Sequence, residues 1–312
     1  MSAPAIRTIG LTRRFGEVSA LDGVDMEVAA GSVLALLGHN GAGKTTLVDI
    51  LATLLPPSGG RAEVAGLDVV RHAARVRRRI GLIRQDTAVD QALSGPANLE
   101  FVARLLGAGR RRARERAAEL IRLFGLREAA ERPVRTYSGG MRRRLDLAVG
   151  VVGRPAVLFL DEPTTGLDPA GRMSLWETIG RLAAEGTTVL LTTQYLEEAD
   201  RLADHIVVLA SGRVVASGTA ARLKAAVGDR CAHVTLAGPE DVAAAAAALR
   251  AGGYAPVPDP ARRTVTVPMA AAADVPAVVR LLDGTDITEL NLTGPTLDDV
   301  YLALTQREES RV

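Results

Sequence analysis

The run Gly38-His39-Asn40-Gly41-Ala42-Gly43-Lys44-Thr45-Thr46 fits GxxxxGKT, a spacing suited to gripping a polyphosphate. Its glycines open backbone conformations closed to residues with side chains, so successive N–H groups along Gly38 to Gly43, including those of His39, Asn40 and Ala42, can turn toward one anion. Lys44, Thr45 and Thr46 start a helix whose positive dipole end adds to that field. Lys44 is placed to reach the β and γ phosphates, and the Thr45 hydroxyl to ligate Mg²⁺.

A second cluster closes the apolar run Val157-Leu158-Phe159-Leu160 with Asp161 and Glu162. Burying two carboxylates without a cation is costly, so Asp161 is expected in the Mg²⁺ shell. Glu162 is placed to take a proton from water attacking the γ phosphate.

Two amides end other strand-like runs. Gln85 can join the metal shell or touch the attacking water, and Gln194 follows Thr188-Val189-Leu190-Leu191-Thr192-Thr193. Ser138-Gly139-Gly140-Met141 heads a helix with Ser138 as N-cap, a second terminus able to bind an anion. On its own that pattern heads many helices. Phe15 offers a ring for stacking on adenine or, alternatively, for the core.

These groups need a frame. Val33 to Leu37 reads as a buried strand and Thr46 to Leu51 as a helix, so the phosphate loop is a strand-to-helix turn. Ile6 to Phe15 and the segment to Val28 read as a strand pair, and Arg61 to Val69 as another around Gly66. From Pro96 to Arg132 the pattern is helical, with Leu99, Val102, Leu105 and Leu106 at helical spacing. Arg110 to Arg116 is a basic run, either a solvated face or a contact for phosphate or lipid head groups. Ile206 to Leu209 and Val214 to Ala216 close the pattern as a hairpin. Strands alternating with helices imply an α/β fold with a mainly parallel sheet and ligands at the strands' C-terminal edge.

Composition excludes several classes. The 312 residues are 47% hydrophobic and 24% charged, as in a soluble globular protein of two domains. Net charge is +2, with lysine only at Lys44 and Lys224 and the other basic residues arginine, so the basic balance points to no nucleic acid partner. The lone Cys231 rules out an internal disulfide, and the four histidines have no metal-ligand spacing. No stretch is apolar for the roughly 18 to 20 residues a bilayer requires, and the N-terminus lacks the apolar core of a signal peptide. A cytoplasmic chain is expected.

With these motifs in this order, residues 6 to 225 resemble the nucleotide-binding subunit of an ATP-binding-cassette (ABC) transporter. The resemblance implies a P-loop NTPase domain over 1–225, with a helical subdomain at about 86–155, hydrolysing ATP with Mg²⁺. It puts Phe15 at the aromatic position, Gln85 at its glutamine position, Tyr137 to Met141 at the signature and Asp168 in the D-loop. Gln194 stands at a switch position where histidine is usual; its neutral amide can still donate to the γ phosphate or orient the water but cannot take up a proton, so slower hydrolysis is expected, with Glu162 still the base. Family members pair as a sandwich, so Ser138, Gly139 and Gly140 are expected to contact the ATP of a second copy. A separate integral membrane permease is the other expected partner, which implies location at the cytoplasmic face of the membrane. Thr192 to Asp200 and Gly294 to Thr305 look like the daunorubicin-resistance type, which carries over export of a hydrophobic drug or antibiotic. Soluble ABC proteins acting on nucleic acid or ribosomes are the rival class, and an ATP-binding switch with negligible turnover is a third.

Residues 229–312 carry no such motif. Their order, with strands from Ala232, Tyr254, Thr264 and Ile287, helices from Glu240 and Val275 and a last helix over 297–304, suggests a small ferredoxin-like α+β domain. An accessory role, stabilising, dimer-supporting or regulatory, is expected for it.

Overall fold

The computed structural model describes residues 3–84, 89–226, 230–269, 272–294, 296, 297 and 300. The chain divides into two compact units, 1–220 and 221–312.

In the first unit β1 (Ile6–Phe15) and β2 (Val18–Val28) form a hairpin, and β3 (Val33–Leu37) leads into α1 (Lys44–Leu51). Then come β4 (Gly59–Val64), β5 (Leu67–Asp68), α2 (Ala73–Arg77) and β6 (Ile80–Ile83). Three helices follow with no strand between them: α3 (Gly95–Leu105), α4 (Arg110–Leu123) and α5 (Gly139–Gly150). The unit is completed by β7 (Val157–Asp161), α6 (Pro169–Ala184), β8 (Thr188–Thr193), α7 (Leu196–Leu202) and the hairpin of β9 (His205–Ala210) with β10 (Arg213–Gly218).

Six strands in the order β10-β9-β3-β8-β7-β6 make the main sheet. All pairs in it are parallel except β10 with β9. Every residue of β3, β7 and β8 is buried, as expected of parallel strands covered on both faces. The smaller sheet β2-β1-β4-β5 is antiparallel, and the first residues of β1 alternate, with Ile6 and Thr8 inward and Arg7 and Ile9 outward. One core joins the two sheets through Leu47, Ile50 and Leu51 of α1, packed with Leu34, Leu36 and Phe159.

The helical pattern from Pro96 gives α3 and α4, but only part of its apolar stripe is core. Leu99 is buried, whereas Leu105 and Leu106 are exposed along with Phe101. Helical spacing selects a face; neighbouring elements decide whether it is covered.

After α8 (Ala220–Ala225), the second unit runs β11 (Arg230–Leu236), α9 (Asp241–Ala251), β12 (Val257–Asp259), β13 (Thr264–Met269), α10 (Val275–Leu281) and β14 (Ile287–Thr293). Its sheet order is β12-β13-β11-β14, all antiparallel, the ferredoxin-like arrangement. Ala232, Val234 and Leu236 pack on Val242, Ala245, Leu249 and Val278 from the helices. β12 starts at Val257 rather than Tyr254, because Tyr254 packs against this core and Pro256 has no N–H to give a ladder. The expected last helix falls mostly outside the described residues.

Leu36 is fully buried at the centre of the main sheet. Leu36→Ala is expected to destabilise the first unit by about 2–5 kcal/mol, read as a lower midpoint of its urea unfolding transition.

Candidate functional site

Parallel pairing brings the C-terminal ends of β3, β7 and β8 to one edge. Leu36 pairs with Thr192 and Leu37 with Thr193, while Asp161 also pairs with Thr192. The residues leaving these strands, Gly38, Glu162 and Gln194, therefore emerge together.

The phosphate loop turns tightly at that edge. A Cβ on Gly38 would come within 2.5 Å of the Leu209 carbonyl and 2.9 Å of Ala42 Cβ. At Gly43, with φ of +103°, a Cβ would approach the Ala20 carbonyl to 2.5 Å. The loop thus wraps against β2 and β9 with no room for side chains at those two positions. His39, Asn40 and Gly41 face solvent, while Ala42 and Lys44 are buried.

Lys44 begins α1, and its ammonium donates to the carbonyls of Gly38 at 2.6 Å and His39 at 3.0 Å. Burial lowers its pKa below the ordinary lysine value, and the charges of Glu162 and Asp161 push it back up. The cation, the loop and both carboxylates share one electrostatic environment.

Asp161 is buried and accepts a 2.6 Å hydrogen bond from Thr192 Oγ1. The same hydroxyl oxygen accepts from the Glu162 N–H at 3.1 Å, so both its donor and an acceptor position are used. Glu162 takes φ of +46°, the left-handed region, which costs a residue with a side chain about 1–3 kcal/mol. Its carboxylate accepts from Thr165 Oγ1 at 3.3 Å and from Gln194 Nε2 at 3.3 and 3.4 Å. Gln194 is thus a donor to the candidate base.

Ser138 caps α5, accepting from the Met141 N–H at 3.3 Å. With Gly139 and Gly140 it lines a cavity of about 490 Å³ that also includes Gly166, Leu167 and Asp168. Asp168 caps α6 by accepting from Gly171 N–H at 3.0 Å. Phe15 is half exposed at the end of β1, with the Arg13 guanidinium 4.7 Å over its ring, so it is not core. Gln85 lies outside the described residues.

The donors fit the expected metal and nucleotide. Thr45 is exposed at the head of α1, and Thr45 with Asp161 is the sparse oxygen set typical of Mg²⁺, which keeps most of its ligands as phosphate and water.

A family model described as ABC transporter matches residues 21–165. The daunorubicin resistance ATP-binding protein DrrA3 of Streptomyces coeruleorubidus is 51% identical over 98% of this chain and 97% of its own length. The chain belongs to the ABC transporter ATP-binding proteins. The doxorubicin resistance ATP-binding protein DrrA of Mycobacterium tuberculosis is 46% identical over 93% of the chain and 89% of its own. The Nod factor export ATP-binding protein I of Paraburkholderia xenovorans is 35% identical over 99% of each. Among solved structures, cbiO1 of Clostridium perfringens, part of an ABC transporter complex, matches with a TM-score of 0.66 at 28% identity, covering 70% of this chain and 89% of that one.

Four contributors to this ABC cassette escape a motif reading. Thr192 and Thr165 bond the carboxylates, and Arg84 pairs with Asp49 of α1 at 2.7 Å. The fourth, Arg143, is buried in α5. Its one sequence signal was apolar Leu147, four residues on and hence on the same helix face; the structure buries Leu147 and Asp146 with it. Arg110, Arg111, Arg112 and Arg114 are exposed. Arg116 instead donates to the carbonyls of Val151 and Val152 at 2.7 and 3.2 Å.

Two outcomes follow from these contacts. The ammonium is the form of Lys44 able to hold phosphate, and its pKa is lowered, so the charge is complete at low pH and lost as pH rises. ATP affinity, titrated with a fluorescent analogue, should therefore start to fall below the ordinary lysine pKa of about 10.4. Gln194→His puts a group of pKa about 6.5 against Glu162, whose charge raises it. Turnover at saturating ATP should then decline more steeply as pH drops through that range in the variant, where imidazolium would pin the candidate base, than in the parent.

Proposed function

We propose that this chain is the ATP-hydrolysing motor of an exporter of hydrophobic drugs, working as a pair of copies beneath a separate membrane subunit. The observation that carries it is Glu162, left-handed in backbone and held by Thr165 and Gln194, beside Lys44 and Asp161.

The loop N–H groups and Lys44 bind the triphosphate and offset the charge on its β and γ oxygens. Thr45 and Asp161 would hold Mg²⁺, which would supply further neutralisation of the phosphate charge. Glu162 removes a proton from water as the water oxygen bonds to the γ phosphorus, and the bond to the bridging oxygen breaks with its electron pair leaving on ADP. Gln194 orients Glu162 by donating to both its oxygens, and being neutral it leaves proton uptake to Glu162 alone. Phe15 stacks on the base from one side, and Gln85 reaches the metal shell or the water.

Ser138, Gly139 and Gly140 present N–H groups and a hydroxyl at the positive end of α5. They serve the γ phosphate of the second copy's ATP, with Asp168 at the joint. Among the described residues no helix is long and apolar enough to cross a membrane; in this reading a separate membrane-spanning subunit carries the substrate, and the pair works against it at the cytoplasmic membrane face. The drug class follows the DrrA relatives, more similar in sequence than the Nod factor relative.

Glu162→Gln should cut phosphate release by at least about 100-fold while ATP still drives pairing, seen as a doubled mass by light scattering. Lys44→Ala should lose nucleotide affinity, and Ser138→Arg should bind nucleotide yet not pair. Pairing by Ser138→Arg equal to the parent's would exclude the composite pocket.

A further inference from the structure

Arg143, in the second turn of α5, does nothing in that scheme, although it is buried. Its guanidinium is spent on main-chain carbonyls: Nε donates to Pro163 at 2.7 Å, Nη1 to Arg84 at 2.9 Å, and Nη2 to Glu162 at 3.2 Å and Asp161 at 3.4 Å. Three of those carbonyls belong to the end of β7 and the turn after it. The other belongs to the residue that follows β6, whose own side chain pairs with Asp49 of α1. The carboxylates of Asp146, Asp161 and Glu198 supply the surrounding negative charge.

Placing a cation in the interior is expensive, and an apolar replacement often serves stability as well. The fork of an arginine does what an apolar side chain cannot: its donors stand in one rigid plane and fix several acceptors relative to one another. Here the acceptors flank Glu162 on both sides, and Glu162 is the non-glycine residue of this turn whose backbone is left-handed. The same arginine sits on the helix whose N-terminus is Ser138-Gly139-Gly140.

We propose that Arg143 is a positioning residue for Glu162, locking the base's backbone to α5 so that each base is aligned by the helix that grips the other copy's nucleotide. This rests on the composite-pocket reading above. Nucleotide at one pocket, by fixing the N-terminus of α5, thereby sets the attack geometry at the other. The path runs α5, Arg143, the end of β7, Glu162, without passing through either bound triphosphate.

Arg143→Gln should lower kcat by about 100-fold, the scale of an angstrom-sized misplacement, with KM for ATP unchanged to within about 3-fold. Arg143→Lys, able to reach one or two of the carbonyls, should recover about tenfold of that loss. Because Arg143→Gln deprives Asp146 of its cation, Arg143→Gln with Asp146→Asn restores charge balance without the clamp and should show the same kcat loss. ATP-driven pairing should persist when Arg143→Gln is added to Glu162→Gln. Turnover within about 2-fold of the parent in both Gln variants, or no gain from Lys, overturns the role of Arg143. Failure of Glu162→Gln alone to pair would instead bring down the composite pocket.

Discussion

The register between β3, β8 and β7 is the constraint on which the structure depends. Leu36, Thr192 and Asp161 stand in line across three parallel strands, so the next residue or two of each chain segment is delivered to the same edge. A slip by one residue would turn every side chain of a strand to its opposite face, exchanging Asp161 for an apolar neighbour. Every residue of β3, β7 and β8 is buried, so a slip would force close-packed side chains of different shape into one another's places as well as misplacing the Asp161 carboxylate. Close packing of these strands is therefore what holds the Gly38–Lys44 loop, Asp161 and Glu162 at one edge.

Polar groups at that edge are satisfied in ways that also orient them. Thr192 gives its hydroxyl hydrogen to Asp161 and takes one from the Glu162 amide, and Arg143 takes up the carbonyls on the opposite side. The left-handed backbone of Glu162 is sustained by these bonds. Further back, Glu198 is fully buried, its pKa raised by burial against the opposing pull of Thr193, Trp176, Thr164 and Arg143. Trp176 donates to it at 3.1 Å. The buried polar layer behind the edge thus links α5, α6 and α7, and its members limit one another's freedom.

The second unit is organised differently. Its antiparallel sheet and two helices enclose a separate core, and His233 on β11 has both ring nitrogens within 2.9 Å of threonine hydroxyls. Its alternating strands keep Ala232, Val234 and Leu236 inward and leave polar residues on the other face.

The sequence alone settled the local features. GxxxxGKT named a tight strand-to-helix turn, the uniform apolar runs named the parallel strands, and Ser138 ahead of two glycines named a helix start, because each depends on residues adjacent in the chain. The order of elements also sufficed for the ferredoxin-like unit. What only the tertiary structure decided depends on distance across the fold. Gln194 proved a donor to Glu162, 32 residues away, a pairing made by the register of β7 and β8. Arg143 looked like one arginine of three and became a buried clamp, since the direction a helix face points is set by what packs on it. Leu105 and Leu106 had the spacing of a core and ended in solvent, for the same reason: periodicity defines a face, and only the assembled neighbours determine whether it is covered.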